Sequence, residues 1–497
     1  MRRRRSVGTG AGPVAARARA AGALLAALAT LAVAGCGVGE PPVPGSTTET
    51  TLRDLDGDGA LEPGPGQPLV PRTELAAARP TGRTLAVFAQ LTDSQVGDEE
   101  SPARLPVLDR LGPPLNAAFR PQEALTPHVL DAAVRSVNAL DPQAVVLTGD
   151  LIENAQENEM DLLLAVLRGG RVDPASGRRA YDGPQSADNA DPLLYRPDVD
   201  APRYAGLLRR AQRPFRAEGL RAPWYPVVGN HDLLVQGVVA PTPRTNAVAT
   251  GDRAVVEIDG DADLPRSEQA LSPDLVDRVL AGGVPGRSIR VPPDPRRREL
   301  SAAGVIARLR AASGQGGRGP GMEHAFDLGS RARGIVLDVA RRDSGTSGRV
   351  APTQLGWLRR ELRRAGRRHV VVFSHQPLAS SEGGDRALAL LDRHPRVVAA
   401  VSGSTHRNVI EPRRTRAGGY WLVSTSSLVD HPQQARAFRL VETARGGVAL
   451  ETWMLDHAGT GDTPAGASRA LAFIDAQGGR PRGTAGRPGD RNARLFR

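Results

Sequence analysis

The sequence contains no lysine, only one cysteine and few aromatic residues, which make up 3% of the chain. A single cysteine excludes an intramolecular disulfide, so the fold depends on its hydrophobic core. The chain has 497 residues, of which 40% are hydrophobic, so it is long enough for a large core. Because every basic side chain is an arginine, we attribute this composition to a GC-rich genome rather than to selection for phosphate contacts.

The net charge of +11 is confined to the two ends of the chain. Six arginines and no acid give +6 within residues 1–35, and six arginines with one aspartate give +5 within residues 480–497. The long segment between these ends is therefore close to neutral. It offers no basic footprint for a polyanion, and we expect no nucleic-acid partner.

The first 35 residues resemble a bacterial signal peptide. Arginines precede an uncharged apolar run at residues 21–35, and this run is shorter than the ~20 residues that a bilayer-spanning helix requires. The run ends in Val-Ala-Gly-Cys, which resembles the lipobox of bacterial lipoproteins. This pattern predicts an exported lipoprotein at the outer face of the cytoplasmic membrane or in the cell envelope, anchored through a lipid on Cys36. An ordinary cleaved signal with an incidental cysteine is the alternative.

Composition divides the rest of the chain into segments. Residues 36–80 are rich in Gly, Pro, Thr and acidic residues without an apolar period, which predicts a flexible tether. Residues 81–459 alternate strand-like runs with helical stretches and predict the main domain, with a lid or substrate-side insertion at about 236–320. Residues 460–497 return to Gly, Pro, Arg and Ala, and we expect a mostly disordered tail apart from a short helix near residues 469–476.

Five continuous apolar runs within the main domain each end in a polar cluster. The runs lie at residues 85–88, 144–147, 224–228, 370–373 and 397–401. Continuous hydrophobicity is typical of strands that are buried on both faces, and a helical stripe at residues 126–140 separates the first two runs. This alternation predicts a layered α/β sandwich.

Candidate ligands directly follow these strands. They are Asp93 and Gln95, Asp150, Asn230 with His231, His375, and Ser404 with His406. Because the carboxyl ends of strands share one edge of an open α/β sheet, these side chains are expected to converge. Oxygen and imidazole ligands without a thiolate favour Mn, Fe or Zn. One such residue is usually structural, but five strand ends in succession predict a metal site.

The order of these motifs resembles the calcineurin-like metallophosphoesterase superfamily. From Asp93 to His406 the order is Asp-x-Gln, Gly-Asp, Gly-Asn-His-Asp, a lone His and Gly-Ser-x-His. The opening Gln-Leu-Thr-Asp, continued by Glu-Ser-Pro-Ala-Arg at residues 100–104, is similar to an exported actinobacterial branch. The resemblance implies a four-layer αββα sandwich with loop insertions. It also implies the metal-dependent hydrolysis of phosphate esters.

Carried over to this sequence, the resemblance implies two divalent or trivalent metal ions bridged by Asp150. The implied ligands are Asp93, His406 and Gln95 for the first metal and Asn230, His375 and Ser404 for the second. Gln95 and Ser404 stand where the family usually has histidine. A neutral hydroxyl is a poor ligand, so we predict that the second metal binds loosely.

The resemblance also implies roles beside the metals. His231 would donate a hydrogen bond or a proton to the scissile phosphate, and Asp232 would orient its ring. The candidate substrate contacts are Arg407, Asn408 and Asn154. The substrate is expected to be a small phosphorylated compound, and monoester, diester, nucleotide, lipid and wall phosphate all stay open. Two other hypotheses also stay open: a catalytically weakened lipoprotein that binds a phosphorylated or cell-envelope ligand, and a structural envelope protein.

Overall fold

The computed structural model describes most of the chain after residue 42. The described ranges are 43–111, 118–191, 193–259, 278–279, 285–316, 319–461, 463–479 and 483–497. The predicted signal peptide, Cys36, the start of the predicted tether and part of the predicted insertion lie outside these residues. Among the helices in these ranges, none combines the length and the hydrophobicity that crossing a bilayer requires.

Strands and helices alternate along much of the described chain. The strands are β1 (Thr50–Arg53), β2 (Glu62–Pro65), β3 (Val70–Arg72), β4 (Thr81–Leu91), β5 (Ala144–Thr148), β6 (Gly170–Val172), β7 (Phe215–Ala217), β8 (Trp224–Val227), β9 (Arg253–Ile258), β10 (Gly286–Arg290), β11 (His324–Leu328), β12 (Ala332–Val336), β13 (His369–Phe373), β14 (Val397–Ser402), β15 (Val409–Arg413), β16 (Tyr420–Ser424), β17 (Gln434–Thr443), β18 (Gly447–Asp456) and β19 (Ala493–Phe496). The α-helices are α1 (Thr126–Leu140), α2 (Glu157–Arg168), α3 (Leu207–Ala211), α4 (Pro243–Ala249), α5 (Ala302–Ser313), α6 (Pro352–Ala365), α7 (Gly384–Leu391), α8 (Pro464–Gln477) and α9 (Pro488–Arg491).

Two β-sheets form the centre of the fold. The seven-stranded sheet has the order β3-β19-β18-β17-β4-β5-β8, and the six-stranded sheet has the order β11-β12-β13-β14-β16-β15. In the first sheet β4, β5 and β8 are parallel neighbours, and in the second β12, β13, β14 and β16 are parallel. The carboxyl ends of each parallel set therefore lie at one edge of its sheet.

Hydrophobic packing stacks the two sheets face to face between layers of helices. Between the sheets, the Phe88 ring of β4 meets Phe373 of β13 edge-on with centroids 5.9 Å apart, and within its own sheet it stacks on Phe438 of β17 at 4.8 Å. A second buried cluster packs α1, α2 and α5 against the outer face of the seven-stranded sheet. A third packs α6 and α7 against the six-stranded sheet. The predicted four-layer αββα sandwich is therefore confirmed.

The helical stripe predicted at residues 126–140 is confirmed as α1. Its buried side chains Leu130, Val134 and Val137 recur at helical spacing and join the cluster under the seven-stranded sheet. Pro127 lies in the first turn, where its missing N–H costs no hydrogen bond. The helix ends at Leu140, and the left-handed backbone of the next residue, Asp141 (φ 52°), turns the chain towards β5.

The segment expected to be a disordered tail is instead part of the core. Residues 464–477 form α8, and β19 lies between β18 and β3 in the seven-stranded sheet. The side chains of Ala493, Leu495 and Phe496 are buried. The short helix expected near residues 469–476 is therefore present as part of α8, whereas the prediction of disorder is wrong for β19. A strand of four residues within a Gly-, Pro- and Arg-rich segment is too short to show a clear apolar period.

Two other segments expected outside the main packing also contribute to it. In the expected tether, β3 pairs with β19, and the Thr47 hydroxyl donates to the Met454 carbonyl oxygen at 2.9 Å. In the expected insertion, α5 buries Val305 and Leu309 under the seven-stranded sheet. The described parts of these segments are therefore neither a free tether nor only a lid.

The C-terminal strand provides a test of this packing. Leu495 is 0% exposed, whereas Leu55, between β1 and β2, is 56% exposed. We expect Leu495→Ala to lower the free energy of unfolding by about 2–5 kcal/mol, because it leaves a cavity in the core. Leu55→Ala is the control and should change it by less than about 0.5 kcal/mol. Urea denaturation of both full-length variants measures the difference, and equal values would contradict a core position for β19.

Candidate metal centre

Three of the predicted ligands meet at the common edge of the two sheets. Asp93 follows β4, Asp150 follows β5 and His375 follows β13, so that two of them come from one sheet and the third from the other. Their ligand atoms all lie within 4.8 Å of one another, and all three residues are buried. The structure therefore brings together a group that could hold a metal ion.

Two histidines direct Nε2 towards these carboxylates. His375 Nε2 lies 3.1 Å from Asp150 Oδ2, and His406 Nε2 lies 3.3 Å from Asp93 Oδ1. On the other side of its ring, His375 Nδ1 lies 2.7 Å from the Thr148 carbonyl oxygen. Because a carbonyl oxygen can only accept, Nδ1 carries the proton in this bond. Nε2 is therefore the nitrogen that is left to bind a metal.

The charges at the centre control the protonation of its members. Burial lowers the pKa of His375, but the Asp150 and Asp93 carboxylates outweigh burial and raise the pKa to about 9. Burial also lowers the pKa of His406, whereas Asp93 and Asp430 raise it to about 10. For Asp150, burial raises the pKa, but His375 and its other neighbours hold it well below its usual range. A metal ion that binds Nε2 therefore replaces a proton.

Left-handed backbone conformations concentrate at these strand ends. Ten non-glycine residues of the described chain have positive φ, and five of them are predicted ligands. These five are Asp93 (φ 52°), Gln95 (φ 39°), Asp150 (φ 50°), Ser404 (φ 66°) and His406 (φ 53°). Such conformations cost about 1–3 kcal/mol each and persist where the surrounding structure enforces them. The backbone is thus strained at the positions from which the predicted ligands converge.

Two glycines leave the space that the carboxylates occupy. A Cβ atom on Gly229 would lie 2.1 Å from Asp150 Oδ1, and one on Gly403 would lie 2.0 Å from Thr92 Oγ1 and 2.5 Å from Asp93 Oδ2. All of these distances are below 3.0 Å, which real Cβ contacts essentially never show. The Gly-Asn-His and Gly-Ser-x-His motifs therefore need glycine because a carboxylate from another strand passes directly over it.

This close approach predicts a defect in metal binding. Gly403→Ala should displace the Asp93 carboxylate and weaken Mn²⁺ binding by about 10-fold or more, as the loss of supporting contacts does at other metal sites. The control is Gly356→Ala in α6, where an added Cβ would meet only Arg360 Nη1 at 3.8 Å. Isothermal titration calorimetry of the full-length variants compares the two. Unchanged affinity in Gly403→Ala would show that Asp93 does not hold the metal.

The remaining predicted ligands, Gln95, Asn230 and Ser404, lie at the same edge, and each has a different hydrogen-bond environment. Gln95 Oε1 is buried and has no hydrogen-bond partner within the described ranges, so it is free to act as a ligand. Asn230 Oδ1 accepts a hydrogen bond from Gln376 Nε2 at 3.0 Å. Ser404 contacts the centre through its backbone N–H, which lies 3.1 Å from Asp93 Oδ2. The donor set of carboxylates, imidazoles and an amide fits Mn, Fe or Zn.

His231 lies beside this centre, but Asp232 does not orient its ring. His231 Nδ1 instead lies 3.2 Å from both the backbone carbonyl oxygen and the Oε2 atom of Glu153. Asp232 accepts hydrogen bonds from the backbone N–H groups of Leu151 at 2.8 Å and Gly229 at 2.7 Å. The prediction for Asp232 is wrong, because its carboxylate satisfies the turns that follow β5 and β8.

Two of the three predicted substrate contacts are also wrong. Asn154 is 0% exposed and donates to Glu159 Oε1 at 3.1 Å. Asn408 is 1% exposed and accepts from Arg436 Nη2 at 2.7 Å. Neither side chain is open to a ligand, because each completes a buried hydrogen-bond network. Arg407 is exposed and borders an apolar cavity of about 270 Å³ beside the six-stranded sheet, so it stays a candidate.

Sequence reasoning missed two carboxylates that support the histidines. Glu153 follows Asp150 by three residues, and Asp430 contacts His406 Nδ1 at 2.5 Å. Asp430 has the same sequence signal as the predicted ligands, a polar residue after a buried strand, because it follows β16 and a Thr-Ser-Ser cluster. Glu153 carried no comparable signal, since an exposed helix start would have the same sequence.

Comparison with known proteins gives only weak similarities to solved structures. No protein-family model and no curated protein sequence matches the chain. A dimetal phosphatase from Danio rerio is similar at 12% identity and a TM-score of 0.38, over 75% of this chain and 97% of that one. The sulfate thiohydrolase SoxB of Thermus thermophilus, in complex with glycerol, is similar at 14% identity and a TM-score of 0.30, over 81% of this chain and 61% of that one. At these values the likeness assigns no function.

Proposed function

We propose that this chain is a metal-dependent hydrolase that cleaves phosphate esters at the centre formed by Asp93, Asp150 and His375. The observation that carries the proposal is the buried cluster of their ligand atoms, all within 4.8 Å of one another. Two bound metal ions would neutralise the phosphate and supply a water that is activated near neutral pH. Asp93 and His406 with Gln95 would hold one ion, and His375 with Asn230 the other.

Asp150 would be the ligand that the two ions share. Its Oδ2 faces His375 Nε2, and its Oδ1 accepts the His231 backbone N–H at 2.8 Å. Its carboxylate also lies within the same group as Asp93. A carboxylate between two like-charged ions lowers their repulsion, and this contact with the backbone holds the carboxylate in one orientation.

His231 fits the role of proton donor to the leaving oxygen. Its side chain is 18% exposed, in contrast to the fully buried His375. Burial lowers the pKa of His231, but the Glu153 and Asp150 carboxylates raise it to about 9, a direction that favours the protonated ring. With Glu153 at Nδ1, Nε2 is the nitrogen that can face a substrate. General acid catalysis of this kind typically contributes about 10²–10⁴ in rate.

Hydrolysis of a chromogenic ester tests the proposal. With Mn²⁺, the full-length chain should hydrolyse p-nitrophenyl phosphate or bis-p-nitrophenyl phosphate. Asp150→Asn should abolish this activity, and His231→Gln should lower kcat by about 10²–10⁴ with Mn²⁺ affinity retained. Asp385→Asn, at an exposed position of α7, is the matched control and should keep full activity.

The competing function is a surface protein that binds a phosphorylated ligand without turnover. The contact of Ser404 with the centre through its backbone favours this alternative, because a familiar metal ligand is missing there. No hydrolysis with any divalent metal, together with retained binding of inorganic phosphate, would decide for the binding protein and against the hydrolase.

We also propose that the chain is exported and anchored by a lipid on Cys36, on the evidence of the lipobox-like Val-Ala-Gly-Cys sequence. Cys36→Ser should prevent lipid attachment, because it removes the thiol that accepts the diacylglycerol. The measurement is incorporation of labelled palmitate together with fractionation of the producing bacterium. The unchanged chain should be labelled and found with membranes, and the variant should be neither. Equal fractionation of both chains would contradict the anchor.

A further inference from the structure

A buried network of charges lies directly behind the candidate metal centre. Arg104 contacts the carboxylates of both Glu123 and Glu153, and Arg120 Nε lies 2.6 Å from Asp430 Oδ1. The side chains of the two arginines are only 4% and 7% exposed. Buried ion pairs are costly to desolvate, so their presence here needs a reason beyond stability.

The first arginine reaches a histidine of the centre through one carboxylate. Arg104 Nη1 binds Glu153 Oε1, while His231 Nδ1 lies 3.2 Å from both Glu153 Oε2 and the Glu153 backbone carbonyl oxygen. Both oxygens of the carboxylate are therefore engaged, one by each partner. Rotation of the Glu153 carboxylate would break one of these contacts. Arg104 therefore holds this carboxylate in the orientation in which it contacts His231 Nδ1.

The second arginine reaches a different histidine in the same way. Arg120 binds Asp430 Oδ1, while Asp430 Oδ2 lies 2.5 Å from His406 Nδ1. The Ser427 hydroxyl adds a hydrogen bond to Oδ2 at 3.2 Å. The carboxylate is again held at both oxygens, and the ring that it holds directs Nε2 towards Asp93.

Glu123 joins the two chains of contacts. One of its carboxylate oxygens binds Arg104, and the other lies 3.8 Å from Arg120 Nη1. The two guanidinium groups thus share one further acid, which holds them side by side. The network reaches two histidines with different contacts, since His406 Nε2 faces the ligand carboxylate of Asp93, whereas the His231 ring contacts Glu153 through Nδ1.

We propose that Arg104 and Arg120 are positioning residues with separate tasks: Arg120 orients His406 as a metal ligand, and Arg104 orients His231 towards bound phosphate. This inference rests on the proposed function. Positioning differs from a merely structural role because one arginine affects metal binding and the other affects the contact with phosphate. Partners of this kind typically change metal affinity or activity by about 10–100-fold when they are removed.

Lysine substitutions separate the two tasks. Lysine keeps the charge but loses the planar fork of donors that fixes a carboxylate. In the full-length chain, Arg120→Lys should weaken Mn²⁺ binding by about 10-fold or more. Arg104→Lys should leave Mn²⁺ affinity unchanged, weaken inorganic phosphate binding to the Mn²⁺-loaded protein by about 10-fold, and lower kcat more than it changes KM.

Matched variants control for general loosening of the fold. Arg333 also shares two carboxylates, those of Asp327 and Glu361, but it lies on β12 three residues before the carboxyl end of the strand. Arg333→Lys should change neither affinity. If a lysine variant does not fold by circular dichroism, Asp430→Asn and Glu153→Gln test the same two chains with side chains of unchanged shape.

The pattern of the two affinities decides the inference. A selective loss of Mn²⁺ binding in the Arg120 variant and of phosphate binding in the Arg104 variant supports it. Equal losses of both affinities in both variants, or no loss in either, would overturn it. If the unchanged chain has no esterase activity, the proposed hydrolysis fails, but the Mn²⁺ and phosphate titrations still decide the positioning roles.

Discussion

Two buried carboxylates, Asp93 and Asp150, lie together with His375, and this arrangement is stable only if positive charge compensates it. Isolated ionised groups cannot be removed from water without a large cost in free energy. Without a metal, protons on the histidines provide the charge, and the raised pKa values of His375 and His406 reflect this demand. A metal ion meets the same demand with a fixed geometry. The remaining features of this edge follow from the need to hold these groups close together.

The scaffold meets this need by combining strong packing with local strain. Aromatic contacts between the sheets, such as Phe88 with Phe373, lie just before the strand ends and fix the spacing of the sheets. Beyond those contacts the backbone turns through left-handed conformations, and glycines such as Gly403 make room for carboxylates. The cost of these conformations is offset by the large shared core. Behind the ligands, the arginines and their carboxylates restrict the histidine rings.

Much of the fold and the group of ligands at the centre were predictable from the sequence, whereas the carboxylates that support the histidines were not predicted. Continuous apolar runs marked the parallel strands, and polar residues after them identified Asp93, Asp150 and His375 because strand ends meet in space. The core position of β19 was not predictable, since its short strand lies in a Gly- and Arg-rich segment. The partner of His231 was also missed. Sequence adjacency suggested Asp232, whereas the turn geometry engages that carboxylate with backbone N–H groups.

Anomalous X-ray diffraction from crystals of the Mn²⁺-loaded protein tests the central claim most directly. The account predicts two Mn peaks about 3.5–4 Å apart, bridged by Asp150 and contacted by Asp93 and His375. Another acidic group, Asp54 with Asp56 and Asp58, also brings its carboxylate oxygens within 4.8 Å of one another at the surface. Metal bound only at that exposed group, with none between Asp93 and Asp150, would contradict the account.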